Sequence, residues 1–375
     1  MSKNKKNTIL IDIIKDFFEN YDIYPEDIDE ITECVCIIAG ELIPISTINP
    51  EEIRILVEKK IIVKPPIYSP IQIKNMNQQI ANLKTIKQPE QRSEEWYTFR
   101  NNRLTASDLG TAMGSNIYGN RKTLVANKCG YKQDFKPGAA ILHGIKYESM
   151  ATLFYETLHD VKVYEYGCIP HSTITYFAAS PDGIVDSNSN NTNYIGRMLE
   201  IKCPKSRELN GYIPNNYELQ IQGQLEVCNL EYCDYLECDI KECEATMFFN
   251  LPKDTFKGII FEYYDNNLKL NKHIYKTDDL DEDSVKSWAH DKLNEILYDS
   301  NYEYMGLSYW YINNYDIILV KRDKKRFDEV IKPKIDIFWN DVLEYRKKGY
   351  EELVEKKYKK PTNTKIKHNF IVDSD

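Results

Sequence analysis

Several absences narrow the field before any motif is read. No apolar run approaches the roughly 20 residues that a membrane-crossing helix needs. The start, "MSKNKKNTILIDIIKDFF", is basic and then briefly apolar, but Asp12, Lys15 and Asp16 interrupt it and no small-residue cleavage site follows, which argues against a secretory leader. No C-x-x-C pair occurs among the nine cysteines, and no repeat is visible along the 375 residues. An excess of positive charge is missing too. Lys and Arg number 49 against 58 Asp and Glu, for a net charge of −9 and a sequence pI of about 5.4. A protein coated in positive charge is thereby excluded. A locally basic groove is not, and a bound metal ion adds positive charge of its own.

With 42% hydrophobic and 29% charged residues, the chain reads as globular and soluble, and the free-thiol pattern as intracellular. Cys228, Cys233, Cys238 and Cys243 recur every five residues, but no histidine accompanies them. Small buried residues are the better reading, with an iron–sulfur site as a remote alternative.

Residues 1–62 predict a small helical module: three amphipathic stretches, the second opened by Pro25 and closed by Gly40, the third opened by Asn49 and Pro50. Residues 63–92, proline-bearing and polar, read as a linker or extended arm. From residue 93 to about 350 helices and strands mix, and the polar tail 351–375 reads as loose. Helices are expected near "RKTLVANKCG", "AAILHGIKYESMATLFYETL" and "NYELQIQGQLEVCN". Strands are expected at "VKVYEYGCI", "TITYFAAS", "RMLEIKCP", "CDYLECDI", "ATMFFNL" and "GIIFEYY". "YMGLSYWYINNYDIILV" reads as a strand packed on the core, although its aromatics would also suit base stacking. "KRDKKR" reads as a solvated helix start, with DNA phosphate contact as the second option. The lone His143 and His171 are not read as ligands.

Chemistry concentrates in "SPDGIV" (180–185), "LEIKCP" (199–204) and "QIQGQ" (220–224). Glu200 and Lys202 share one face of a short, otherwise apolar strand, and buried charges need a reason. Taken singly, Asp-Gly is most often a turn and Glu-x-Lys most often a cross-turn ion pair or a solvated strand face. Their order is less ordinary. Asp182 precedes a sharp turn, Glu200 follows 18 residues later, and a hairpin would set the two carboxylates side by side. Two converging carboxylates suit a hard divalent cation, and a lysine beside them can neutralise charge on a phosphate or act on an attacking water. That set fits metal-assisted hydrolysis of a phosphodiester.

The order (S)PD, (L)E-x-K-C-P and Q-x-Q resembles the PD-(D/E)xK nuclease superfamily, and within it the YqaJ-type viral recombinase or phage lambda exonuclease family. Upstream, "RSEEWYTFRNNRLTAS" is similar to that family's opening motif and "LHGIKYE" to its G-x-x-x-E motif, so that the likeness spans residues 92–240. It implies an α/β, restriction-endonuclease-like core: a mixed sheet of four or five strands flanked by helices, with the helical N-terminal module added. It further implies that Asp182, Glu200 and the Ile201 carbonyl bind metal, that Glu148 helps to hold it, and that Lys202 is catalytic. Gln222 supports the site, with Gln220 as the competing assignment. Arg100 and Ser107 receive a terminal 5′-phosphate, with Ser180 as a further contact; a guanidinium suits that task because it pairs bidentately with phosphate oxygens.

The activity so implied is a Mg²⁺-dependent (Mn²⁺ substituting) exonuclease on 5′-phosphorylated ends of linear duplex DNA, making single-stranded tails for recombination or repair. Expected partners are DNA, a recombinase or single-strand-binding protein, and further copies of the chain; no membrane is expected. One alternative is a structure-specific or restriction-like endonuclease, against which the Arg100–Ser107 pair argues. The remote alternative, a non-catalytic DNA-binding scaffold, would have no need to keep Asp182, Glu200 and Lys202 together.

Overall fold

The strand that carries Glu200 and Lys202 lies inside a seven-stranded sheet. The computed structural model describes residues 3–20, 27–60, 67–89, 93–117, 119–131 and 137–354. Most of the tail expected to be loose, and the ends of the expected linker, lie outside these ranges. The strands are β1 (Leu104–Thr105), β2 (Val163–Tyr164), β3 (Ile169–Pro170), β4 (Phe177–Ala179), β5 (Gly183–Val185), β6 (Met198–Lys202), β7 (Tyr232–Cys243), β8 (Lys257–Asp265), β9 (Leu270–Lys276) and β10 (Tyr302–Lys321). The large sheet runs β2-β5-β6-β7-β10-β8-β9, and a small one runs β1-β4-β3. Among the described residues only β6 with β7 and β1 with β4 pair in parallel. The sheet is mixed, as expected, but wider than four or five strands. The difference lies in β8 to β10: "LNKHIYK" mixes Lys, Asn and His into its alternation and hides β9, whereas the long β10 pairs with β7 along one part and with β8 along the other.

Helices cover both faces. They are α1 (Lys3–Asn20), α2 (Ile28–Leu42), α3 (Pro50–Lys60), α4 (Pro70–Thr85), α5 (Glu94–Asn101), α6 (Leu109–Ala112), α7 (Arg121–Lys128), α8 (Ala139–His159), α9 (Asn215–Cys228), α10 (Ala245–Asn250), α11 (Glu282–Leu297), α12 (Lys324–Arg326) and α13 (Lys332–Lys348). On one face Leu219, Ile221 and Leu225 of α9 pack with Met198, Cys233 and Tyr235. On the other, Tyr147, Met150, Ala151 and Phe154 of α8 pack with Leu199, Ile201 and Cys203. The period of two along β6 therefore sends its apolar odd positions to α8 and leaves Glu200 and Lys202 facing α9.

Two expectations are corrected, and one remote alternative is removed. Where a linker or extended arm is expected, residues 70–85 form α4, started by a capping box between Ser69 and Gln72 with Pro70 in the first turn. Ile80 and Leu83 of α4 are buried in the core, Gln79 Nε2 donates to the Cys228 carbonyl at 2.7 Å, and Lys84 pairs with Asp186 at 2.7 Å. The prolines that suggested an arm mark a helix start instead. "ATMFFNL" is the helix α10 and not a strand: Phe248 is its buried side chain, Asn250 Nδ2 donates one turn back to the Thr246 carbonyl, and Lys257 Nζ donates to the Phe248 and Leu251 carbonyls at its end. The four evenly spaced cysteines are free thiols that do not converge: Cys233 belongs to the α9-side core and Cys238, five residues on along β7, to the α8-side core. An odd spacing on a strand requires that divergence, which removes the iron–sulfur alternative. Among the described residues no helix is long and apolar enough to cross a membrane.

Candidate active site

Glu200 is 0% exposed, yet it is a carboxylate. Its neighbours explain how it is tolerated. Lys202 Nζ and Gln220 Nε2 donate to one oxygen, the latter at 2.6 Å, and Gln224 Nε2 donates to the other at 2.7 Å. Hydrogen bonds to a charged group contribute roughly 1.5–3 kcal/mol each, enough to offset much of its burial. Gln224 also donates to the Ser180 carbonyl at 3.0 Å, which ties α9 to the turn that precedes Asp182.

Asp182 lies between β4 and β5 and ends neither. Its Oδ2 accepts from the Ile201 N–H at 2.6 Å. In an extended strand a residue's N–H and C=O leave on the same edge, so the Ile201 carbonyl faces the Asp182 side as well. Burial, and then the Glu200 charge, push the Asp182 carboxyl well above the usual carboxylate range; Glu148 adds to this, while Lys202 and the Ile201 N–H pull it back. Glu148, exposed on α8, thus acts on Asp182 through its charge. Lys202 is partly buried and lies 4.8 Å over the Tyr217 ring. Burial alone would favour loss of its proton, but Glu200 and Asp182 outweigh burial and raise its value, so it is held as an ammonium.

Glu200 and Asp182 thus flank one ammonium, and the Glu148 charge reaches Asp182 from α8. Among the described residues no three His, Cys, Asp or Glu side chains close into a group that would hold a metal ion by themselves. Asp182, Glu200 and the Ile201 carbonyl form an all-oxygen donor set in net negative surroundings, which fits a hard cation that keeps several waters.

The second Gln of Q-x-Q does not face this cluster. Gln222 Nε2 donates to the Lys321 carbonyl at 2.9 Å and its Oε1 accepts from the Asp323 N–H at 2.8 Å. This corrects the assignment of Gln222. A helix turns about 200° in two residues, so Gln220 and Gln222 point apart, whereas Gln220 and Gln224, four apart, share a face. The i, i+4 spacing was the signal for Gln224. "KRDKKR" is tied down beside Gln222: Arg322 and Lys324 both pair with Glu226, and Asp323 caps α12.

Arg100 and Ser107 do come together. Arg100 Nη2 lies 3.4 Å from both Ser107 Oγ and Thr105 Oγ1, and its guanidinium stacks 4.6 Å over the Trp96 ring. Behind it a polar chain went unread in the sequence. Lys128, 7% exposed, donates to the Arg100 carbonyl at 3.1 Å and pairs with Asp108 at 2.9 Å, and Asp108 accepts from the Thr105 hydroxyl at 2.8 Å. Arg346 of α13 clamps the same region through the Asn101 and Lys128 carbonyls.

This pocket is joined to the carboxylates in two ways. β1 runs parallel to β4, with Thr105 opposite Ala178, so both strands leave at one end: the first into Ser107, the second into Ser180-Pro181-Asp182. And the Ala106 turn lies directly against α9 at Gly223. A Cβ there would meet Leu109 Cδ1 at 2.7 Å, and both Ala106 Cβ and Phe177 at 3.1 Å. Gly223 flanks the helix face shared by Gln220 and Gln224, so one glycine lets the Arg100–Ser107 segment approach the helix that grips Glu200. Ser180 departs from its expected role. Its Oγ is buried beside the Cys168 thiol, and only its carbonyl reaches the site, on Gln224. A buried hydroxyl cannot also reach a phosphate. His143 Nδ1 lies 3.1 Å from the Cys203 carbonyl and His171 stacks on Phe327, which are packing roles.

Residues 95–231 match the family model described as the YqaJ-like viral recombinase domain. The uncharacterized protein R354 of Acanthamoeba polyphaga mimivirus is 31% identical over 307 residues, which is 72% of this chain and 55% of that protein. The chain thus spans about half the length of this curated relative. Among solved structures, an alkaline exonuclease (LHK-Exo) from Laribacter hongkongensis is 21% identical, with 70% of this chain and 100% of that chain covered and a TM-score of 0.42. A phage related exonuclease from Haemophilus somnus 129PT is 13% identical, with 67% and 96% covered and a TM-score of 0.36.

Proposed function

We propose, from the membership of residues 95–231 in the YqaJ-like viral recombinase family, that this chain is a divalent-metal-dependent DNA exonuclease acting from 5′-phosphorylated ends of linear duplex DNA. The observation that carries the reading is the join at Gly223 between two unlike sites: an acidic cluster with one ammonium, and an arginine–hydroxyl pair on the adjoining strand end. An acidic pair alone would serve many hydrolases. A cationic pocket built against it supplies a seat for the end of the chain that is to be cut.

Asp182, Glu200 and the Ile201 carbonyl would hold the cation, Mg²⁺ or Mn²⁺, with Glu148 adding charge from α8. When bound, such an ion polarises a phosphoryl oxygen and makes water more acidic. The chain's own residues do the rest. Gln220 and Gln224 fix the two oxygens of Glu200, so the carboxylate cannot rotate away. Lys202, kept protonated by its acidic neighbours, orients the attacking water and neutralises charge gathering on the phosphate. Arg100 and Ser107 bind the terminal phosphate and set the register of the first phosphodiester. Thr105, Asp108 and Lys128 hold Arg100 in place. Cleavage from such an end leaves single-stranded tails suited to recombination.

The reading is tested by incubating purified protein and Mg²⁺ with matched linear duplexes that carry 5′-phosphate or 5′-hydroxyl ends, and with closed circles. Shortening of the phosphorylated duplex, slower shortening of the hydroxyl duplex and intact circles are expected. Equal cutting of circles would favour a structure-specific endonuclease.

A further inference from the structure

The strand that ends at Lys202 does not run straight into α9. Residues 203–214 intervene, and a site residue stands at or near each end of the segment, Lys202 on β6 and Gln220 on α9. Connections in compact domains are usually about 4–6 residues, and longer ones need ties to stay in place. This one has four. The Cys203 carbonyl meets His143 of α8. Arg207 pairs with Glu237, a fully buried carboxylate opposite Lys202 in the β6–β7 register, which also accepts from the Tyr235 hydroxyl at 2.5 Å. Gly211, at φ +67, donates to Asp316 of β10 at 3.0 Å. The fourth tie differs in kind. Tyr212, its amide held by Asn210 Oδ1 at 3.1 Å, is 8% exposed, and its ring is not buried in the sheet's own cores. It enters the cluster formed by Leu10, Ile14, Val35, Ala39 and Ile53 of α1, α2 and α3.

The N-terminal helices carry none of the site residues, and their apolar cluster includes this one ring from the active-site loop. We propose that the three-helix unit is an intramolecular brace for the active site, with Tyr212 as its peg. By fixing the loop between β6 and α9, the unit keeps Lys202 and Gln220 at the spacing at which both meet Glu200. Tyr212 is a positioning residue: it touches neither DNA nor the reacting atoms. The activity arm of this proposal rests on the nuclease reading; the structural arm does not.

The experiment compares the full chain with Tyr212→Ala, Tyr212→Phe, Ile14→Ala and the double variant Tyr212→Ala/Ile14→Ala. It reads amide hydrogen exchange over residues 205–212, together with kcat and KM on linear duplex. Tyr212→Ala is expected to speed exchange in the loop and to lower kcat about tenfold to a hundredfold, since small misplacements of reacting groups cost that much, with KM nearly unchanged. Tyr212→Phe, which keeps the ring, stays at the parent's rate. Ile14→Ala acts in the same direction, and the double variant is no slower than Tyr212→Ala alone, because both act through one contact. Parent-like exchange in Tyr212→Ala, an unchanged kcat despite faster exchange, or additive losses in the double variant would each overturn the brace. Should Tyr212→Ala not fold, Tyr212→Leu takes its place under the same expectations. A parent protein that digests no DNA sinks the nuclease reading, and loop exchange then decides the brace by itself.

Discussion

Two clusters of buried charge lie back to back on β6 and β7. Facing α8 are Arg197 and Asp234, 2% exposed each and 2.9 Å apart, with the Tyr155 hydroxyl donating to the second Asp234 oxygen at 2.5 Å. Facing α9 are Glu200 and Lys202 with Asp182 and Glu148 nearby. In the register Asp234 stands opposite Leu199 and Tyr235 opposite Glu200, so one residue's step separates the two faces. The first cluster is balanced, one cation to one anion. The second is not: Glu200 and Asp182 share the single ammonium of Lys202, the exposed Glu148 adds its charge from α8, and in the metal-free fold Asp182 offsets the imbalance by holding a proton. Balanced burial is what a structural ion pair requires; a surplus of one sign leaves the neutralising partner to come from outside.

The contrast can be broken from either side. The largest effect is expected for Glu200→Ala and Lys202→Ala, each lowering the digestion of linear duplex by on the order of 10³-fold, as loss of a charge-stabilising group does; thermal unfolding should barely move for Glu200→Ala, which relieves the excess of acid. Arg197→Met should do the reverse. Stranding Asp234 costs roughly 3–5 kcal/mol, read by chemical denaturation, with activity lost only as far as the fold is lost. Arg100→Ala should erase the preference for 5′-phosphate over 5′-hydroxyl ends, roughly tenfold to a hundredfold for a lost charged hydrogen bond, while stability is kept.

The two kinds of site also differ in their response to pH. Asp182 has a folded value above its unfolded one, so the native state holds a proton that the unfolded chain releases. Without metal, stability should therefore fall as pH rises from the ordinary carboxylate range through the raised value, and Asp182→Asn or added Mg²⁺ should flatten that slope. Glu226 goes the other way. Burial raises it, but His171, Lys324 and Arg322 outweigh burial and bring it to about 2. Its contribution is complete above its unfolded value, about 4.3, and is lost as pH falls toward 2. Denaturation curves of Asp182→Asn and Glu226→Gln across pH separate the two. The smallest contrast lies within α9. Gln224→Ala should weaken metal dependence by roughly 10–100-fold, as loss of an outer-shell partner does, whereas Gln222→Ala should leave it within about threefold.

The sequence made the acid cluster legible because a period of two and a turn are short-range rules. The positions of Glu200 and Lys202 on one face, and of Leu199, Ile201 and Cys203 on the other, follow from alternation alone. Arg100 with Ser107 was legible through order along the chain. What escaped needed the third dimension. Gln224 belongs with Glu200 only once α9 is laid against β6, and Lys128 matters only because α7 returns beneath Arg100. Gly223 looked like an unremarkable helical residue until the Ala106 turn was placed against it. The helix at 70–85 was hidden by prolines that also start helices, and β9 by polar residues that an exposed edge strand accepts.

On the proposed reading, the acidic cluster beside the Arg100 pocket cuts DNA from phosphorylated ends. One assay addresses it most directly: purified protein with Mg²⁺, on equal amounts of linear duplex with 5′-phosphate, linear duplex with 5′-hydroxyl, and closed circular duplex, with Glu200→Ala in parallel. Fast loss of the first, slower loss of the second, intact circles, and no digestion by the variant are expected. Circles cut as fast as ends, or a Glu200→Ala protein as active as its parent, would contradict it.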